Sequence, residues 1–264
     1  MRKPRNAIDL TVRGGWPASL GLDVQSASLL PKAYLRNVIE EDVYRVDGVK
    51  RESRKLQLLL RSLARNESTI VSNRTLVNDI FEDDAESIDV DTVSDYLNVF
   101  QRLFILDEQR AFNPNLRSSV RVGKSAKRHF IDPSLAIAAL DASPERLIND
   151  LHTYGFLFES LCIRDLRVYA ESVGGQLFHY RDHSGREIDA VVEWPDGRWG
   201  AFEIKLGANQ IDEAANTLLA IKKFMTEDPK AKPPEVLCVI CGLTNYAYTR
   251  EDGVMVVPVT SLKP

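Results

Sequence analysis

Residues 186–205 read REIDAVVEWPDGRWGAFEIK. Two runs rich in Val, Ile, Trp and Phe flank Pro195-Asp196-Gly197-Arg198, and that pattern spells a β-hairpin closed by a turn. Side chains two apart on a strand share a face, so Glu187 goes with Asp189 and Glu203 goes with Lys205. Their neighbours Ile188, Val191, Phe202 and Ile204 read as buried. A hairpin that only had to pack would not set three carboxylates and an ammonium beside them. Buried charge is costly unless it is paired or put to use.

The flanking segments set this hairpin in a larger pattern. Residues 151–173, LHTYGFLFESLCIRDLRVYAESV, carry Phe158, Leu161, Cys162 and Leu166 at helical spacing. QLFHYRD reads as a strand before the hairpin, NQIDEAANTLLAIKKFM as a helix after it, and VLCVICGL as a buried strand. GVMVVPVTSL closes the chain as an edge strand, so the second half reads α-β-β-β-α-β.

The first half is mainly helical. Residues 1–30 read as mixed, with GGWP at 14–17 as a helix or turn breaker, and a helix is expected at about 29–45 with Pro31 in its first turn. RESRKLQLLLRSLARN places Leu56, Leu59, Leu60 and Leu63 on one face. SNRTLVNDIF follows with Ser72 as its cap, then DVDTVSDYLNVFQRLFIL with a cap at Asp91 or Thr92. Two β-type stretches, SSVRVG and KRHFIDP, come next. Three short helices and a two-stranded wing describe a winged helix over 50–132.

The totals exclude some classes. A net charge of −4 over 264 residues is not the profile of a protein that coats nucleic acid through bulk charge. Cys162, Cys238 and Cys241 lack the spacing of a disulfide framework. The CVIC run has no second ligand pair for zinc and lies within a strand, so it reads as two small buried side chains. No stretch of 18 apolar residues occurs, and the basic N-terminus lacks an apolar signal region, so a cytoplasmic protein without a membrane span is expected. His129, His152, His179 and His183 show no metal-ligand spacing and read as structural.

The order helix, strand, Asp-bearing strand, Glu-x-Lys strand, helix, strand resembles the PD-(D/E)XK nuclease superfamily. The matching residues are Glu159, Asp189, Glu203 and Lys205, with Asp189 and Glu203 fourteen positions apart. YRD, GREIDAVVE and FEIK more specifically resemble the DUF4143 region at the C-terminus of bacterial and archaeal AAA-type ATP-binding proteins. GGWP, AYLRNVIEEDV, VSDYLNVFQRLFIL, RHFIDPSLA and YGFLFESLCIRDL extend the likeness over nearly the whole chain. The resemblance implies an α/β (α+β) chain in three parts. These are a helical remnant of the ATPase lid at 1–49, the winged helix at 50–132, and a restriction-endonuclease-like domain at 133–264. Family members carry a P-loop ATPase domain. Here VGKSAK, residues 122–127, lacks the upstream glycine, so no nucleotide is expected in this chain.

The likeness also implies chemistry. Mg²⁺ or Mn²⁺ takes one or two carboxylates plus waters, which Asp189 and Glu203 would supply, with Glu159 as a further ligand. Lys205 would steady the attacking water or the developing phosphate charge, and Gln210 would help orient the site. Tyr180 and Arg181 are placed to touch a phosphate. Turnover of this kind would make the chain a metal-dependent nuclease acting on DNA or RNA. The same acids and lysine can also form a salt-bridge network in a non-catalytic module that binds nucleic acid or protein, or that helps the chain self-associate beside its ATPase partner domain.

A winged helix reads DNA with its third helix. That helix carries Asp89, Asp91 and Asp95, which repel phosphate. The wing carries Arg117, Arg121, Lys124, Lys127 and Arg128, so backbone contact or protein packing is expected rather than base reading.

Overall fold

The computed structural model describes residues 4–83, 88–229 and 231–263. The basic Met1–Lys3 start lies outside them. In chain order the first half holds α1 (Pro4–Arg13), α2 (Val24–Asn37), α3 (Val43–Asp47), α4 (Ser53–Arg65), α5 (Asn73–Asp83), α6 (Val90–Arg102) and β1 (Leu106–Gln109). Then come α7 (Val120–Gly123), β2 (Lys127–Phe130), α8 (Pro133–Ala139), α9 (Pro144–Asn149) and α10 (Leu151–Ser172). The rest is β3 (Gln176–Arg181), β4 (Glu187–Glu193), β5 (Trp199–Lys205), α11 (Ile211–Glu227), β6 (Val236–Cys241), β7 (Tyr248–Thr249) and β8 (Met255–Pro258). Two compact units result, each discontinuous in sequence. One comprises residues 7–108 and 128–160; the other comprises the described residues up to 6, 109–127 and those from 161 onward.

In the helical unit, caps explain where helices begin. Asp23 accepts from the Ser26 amide at 3.0 Å and starts α2, so the helix expected at 29–45 begins earlier and Pro31 lies inside it. A π turn at Val38–Asp42 carries it into α3. The Asp89 carboxylate caps α6 through the Thr92 amide at 2.6 Å, two or three residues before the expected cap. Leu56, Leu59, Leu60 and Leu63 are all buried, as their 3–4 spacing requires. GGWP is bound to the start of α8: Gly15 donates to Asp132 at 2.8 Å and Trp16 Nε1 to Ser134 at 2.8 Å. Gly14 sits at φ +68°, and a Cβ there would lie 2.5 Å from Ser134 Oγ.

β1 and β2 form the two-stranded sheet. SSVRVG, expected as a strand, is instead turn and the short helix α7, because the carbonyl of Ser119 takes the amides of Val122 and Gly123. The alternation there is too short to hold an extended conformation without a partner strand.

The other unit is built on a six-stranded sheet in the order β3-β4-β5-β6-β8-β7. β3, β4 and β5 are antiparallel, while β5-β6 and β6-β8 are parallel. β7 pairs antiparallel with β8, so the closing strand expected at an edge is internal. α11 makes the crossover between β5 and β6 and buries Ile211, Ala214, Leu218, Ile221 and Met225 in a core with Trp199, Ala201, Val239 and Val256. Each such aliphatic side chain contributes roughly 1.5–3 kcal/mol.

Candidate metal and phosphate site

The site forms where β5 ends. Glu203 and Lys205, two apart, lie on one face of β5, and Asp189 comes to them from β4. Lys205 Nζ is 2.7 Å from Glu203 Oε2 and 3.2 Å from Asp189 Oδ2. Asp189 and Glu203 are 9% and 5% exposed. Burial alone would lower the Lys205 pKa, but the two carboxylates outweigh it and raise it above the ordinary lysine value. The side chain is therefore a fixed positive charge rather than a proton acceptor.

Asp189 reaches this place through a β-bulge. On β3, one residue separates Phe178 from Tyr180; on β4, two separate their partners Val191 and Ile188. The extra residue lies at Asp189-Ala190, and the paired register with β5 stops at Ala190–Phe202. Bulges of this kind re-aim side chains. Ile188 and Val191, three apart, consequently both enter the α11 core, which a regular strand would forbid.

Gln109 holds the bulge. It is fully buried, and its Nε2 donates to Phe178 O at 2.9 Å and to Asp189 O at 2.8 Å. The side chain of Asp189 accepts from the Ile204 amide through Oδ2 at 2.8 Å. Oδ1 accepts from no described residue. Reading the sequence missed Gln109, and a lone Gln in LDEQRAF carries no signal that could have found it.

The two carboxylates and the free Oδ1 match the one or two protein carboxylates that Mg²⁺ or Mn²⁺ takes with waters. Among the described residues no group of three or more His, Cys, Asp and Glu side chains converges to hold a metal. Glu159 is half-buried on α10 in the helical unit, and the cluster described is that of Asp189, Glu203 and Lys205. Gln210 is exposed and its Oε1 accepts from the Gly207 amide at 3.1 Å, closing the turn into α11.

Several of the residues expected to meet phosphate are bonded to other parts of the protein. Arg121 forms a paired bridge to Glu193 at 2.6 and 2.9 Å and lies 5.1 Å over the Phe112 ring. Lys127 is buried against Glu187 at 2.9 Å, which gives Glu187 a different partner from Asp189. Lys124 donates to the Arg181 carbonyl. Arg128 donates to Val71 O at 2.9 Å and to Asn73 at 3.0 Å. Tyr180 is buried, and burial, with Asp182 nearby, pushes its phenol up to about 12. Arg181 remains exposed at the end of β3.

His179, Cys238 and Cys241 are buried. His179 is fully buried, its Nε2 is 3.2 Å from Ser125 O, and burial followed by Lys127 lowers its pKa to about 4. Cys238 and Cys241 are buried three apart on β6, on opposite faces of the strand, and burial pushes Cys238 up to about 12. No helix among the described residues is long and apolar enough to cross a membrane.

Residues 5–146 match the family model described as domain of unknown function (DUF8612). Residues 154–262 match the one described as domain of unknown function (DUF4143). No curated protein and no solved structure matches the chain.

Proposed function

The chain belongs to the DUF8612 family through residues 5–146, and we propose that the DUF4143 region following it is a restriction-endonuclease-like domain that hydrolyses phosphodiester bonds of DNA or RNA with Mg²⁺ or Mn²⁺. The observation that carries this reading is Lys205 Nζ, 2.7 Å from Glu203 and 3.2 Å from Asp189 at the end of a buried strand. The resemblance to AAA-type proteins further suggests that the domain works beside an ATPase partner.

Asp189 and Glu203 would hold the metal, which when bound lowers the pKa of a water and offsets phosphate charge. The chain's own part is positioning. The Ile204 amide fixes Oδ2 of Asp189, leaving Oδ1 for a ligand. Lys205 supplies a point charge where an attacking water or a phosphate oxygen would gather negative charge. Both carboxylates sit in a largely water-excluded place, where such charges act more strongly than in bulk water.

One observation favours a second reading. The ammonium of Lys205 bonds both carboxylates, so the three can stand as a closed ion-pair cluster in a binding module without turnover. Titration calorimetry of Mn²⁺ and Mg²⁺ into the wild type and Asp189→Ala separates the two. Metal binding lost in the variant, with cleavage of labelled DNA or RNA lost in both Asp189→Ala and Lys205→Ala, supports the nuclease. Absence of metal binding in the wild type would leave the binding module. Cleavage that continues unchanged in both variants belongs to a contaminant.

A further inference from the structure

The helical unit contains a cavity of about 510 Å³ walled by α2, α4 and the end of α8. Lys32 and Arg36 line it from α2, Arg54 and Arg61 from α4, and Asp141 from beyond α8. Lys32 and Arg36 are four apart, and Arg54 and Arg61 seven apart, so each pair shares one helix face. Leu35 and Ile39, both nearly buried, add apolar wall.

Arg54 has a partner of its own, and Lys32, Arg36 and Arg61 share one lining carboxylate, Asp141, in a chain whose net charge is −4. Asp141 is taken by Lys32. Arg36 and Arg61 are exposed; Arg61 acts on Asp141 through space, and no described carboxylate holds either in a salt bridge. Like charges four apart on a helix repel, and a concave site with apolar walls concentrates their field. Such an arrangement is stabilised by an anion. Guanidinium groups present paired donors that match phosphate oxygens, which a lone ammonium does not. The volume suits a small molecule, and the cations ring a hollow instead of tracking along a stripe, as a nucleic-acid backbone would require.

We infer that this cavity binds a small oligophosphate ligand through Arg36 and Arg61, with Lys32 beside them and its non-phosphate part against Leu35 and Ile39. The inference concerns the helical unit and stands apart from the nuclease reading.

The test is calorimetric titration of sodium tripolyphosphate into the full chain at 150 mM NaCl. The comparison variants are Arg36→Gln/Arg61→Gln and, as a control on the exposed face of α11, Lys222→Gln/Lys223→Gln. All four positions are exposed, and circular dichroism verifies that both variants fold. One site per chain is expected, weakened at least tenfold in the arginine variant and unchanged in the control. No saturable binding, several sites, or equal weakening in both variants would overturn the inference. So would a single-stranded oligonucleotide displacing tripolyphosphate from the wild type and losing affinity equally in the arginine variant, since the surface would then serve nucleic acid.

Discussion

The amide of Ile204 donates to the side chain of Asp189, 2.8 Å away. A regular antiparallel ladder would have used a main-chain carbonyl. The register Ala190–Phe202 would set Ile204 opposite Ile188, yet the Asp189 carboxylate takes the Ile204 amide, while Gln109 holds the Asp189 carbonyl. Strand pairing and the orientation of the site are therefore one arrangement.

Replacing Gln109 by Leu tests that link. Two buried carbonyls, Phe178 O and Asp189 O, would lose their donor, at a cost of about 2–4 kcal/mol. Urea denaturation measures it. Metal affinity, where the wild type has it, should fall as well, because Asp189 is no longer held. An unchanged midpoint would show that the bulge stands without Gln109.

Lys205→Ala leaves two buried carboxylates facing each other. Lys205 retains some solvent contact, 26% of its side chain, so the loss is expected at about 2–3 kcal/mol, below that of a fully buried pair. If the carboxylates bind a divalent cation, Mn²⁺ should raise the melting temperature of Lys205→Ala more than that of the wild type. Equal shifts would argue for a purely structural cluster.

A pH dependence follows from Glu67 in the helical unit. It is 2% exposed, and burial raises its pKa to about 8 against the opposing hydrogen bond from the Phe130 amide. The folded state thus keeps a proton that the unfolded chain releases near 4.5. Its contribution is complete below the unfolded value and is lost as pH climbs toward 8. Glu67→Gln should flatten this decline between pH 5.5 and 8.5 in thermal unfolding. Parallel curves for the two proteins would mean Glu67 does not titrate in that window.

Two glycines separate conformation from packing. Gly14→Ala combines a left-handed φ with a Cβ at 2.5 Å from Ser134 Oγ and 2.7 Å from Asp132 Oδ1, for about 2–3 kcal/mol. Gly48 has a similar φ of +72° and nothing within 4 Å, so its alanine should cost about 1 kcal/mol. Equal midpoints in denaturant would mean that the seat of GGWP on α8 yields freely.

Period and turn chemistry, which are local properties, were legible in the sequence. They gave the hairpin at 186–205, the helix α11, the leucine face of α4 and the shared face of Glu203 and Lys205, because side-chain period follows from backbone geometry alone. What each charge bonds to was decided by tertiary structure. Regular alternation puts Glu187 and Asp189 together, yet a bulge, held by a glutamine 80 residues earlier, sends Asp189 to Lys205 while Glu187 pairs with Lys127. Arg121 and Lys127, solvent-facing in a free wing, bond instead to Glu193 and Glu187 of the large sheet. A buried ion must find a partner wherever the fold brings one, and that depends on segments far apart in the chain.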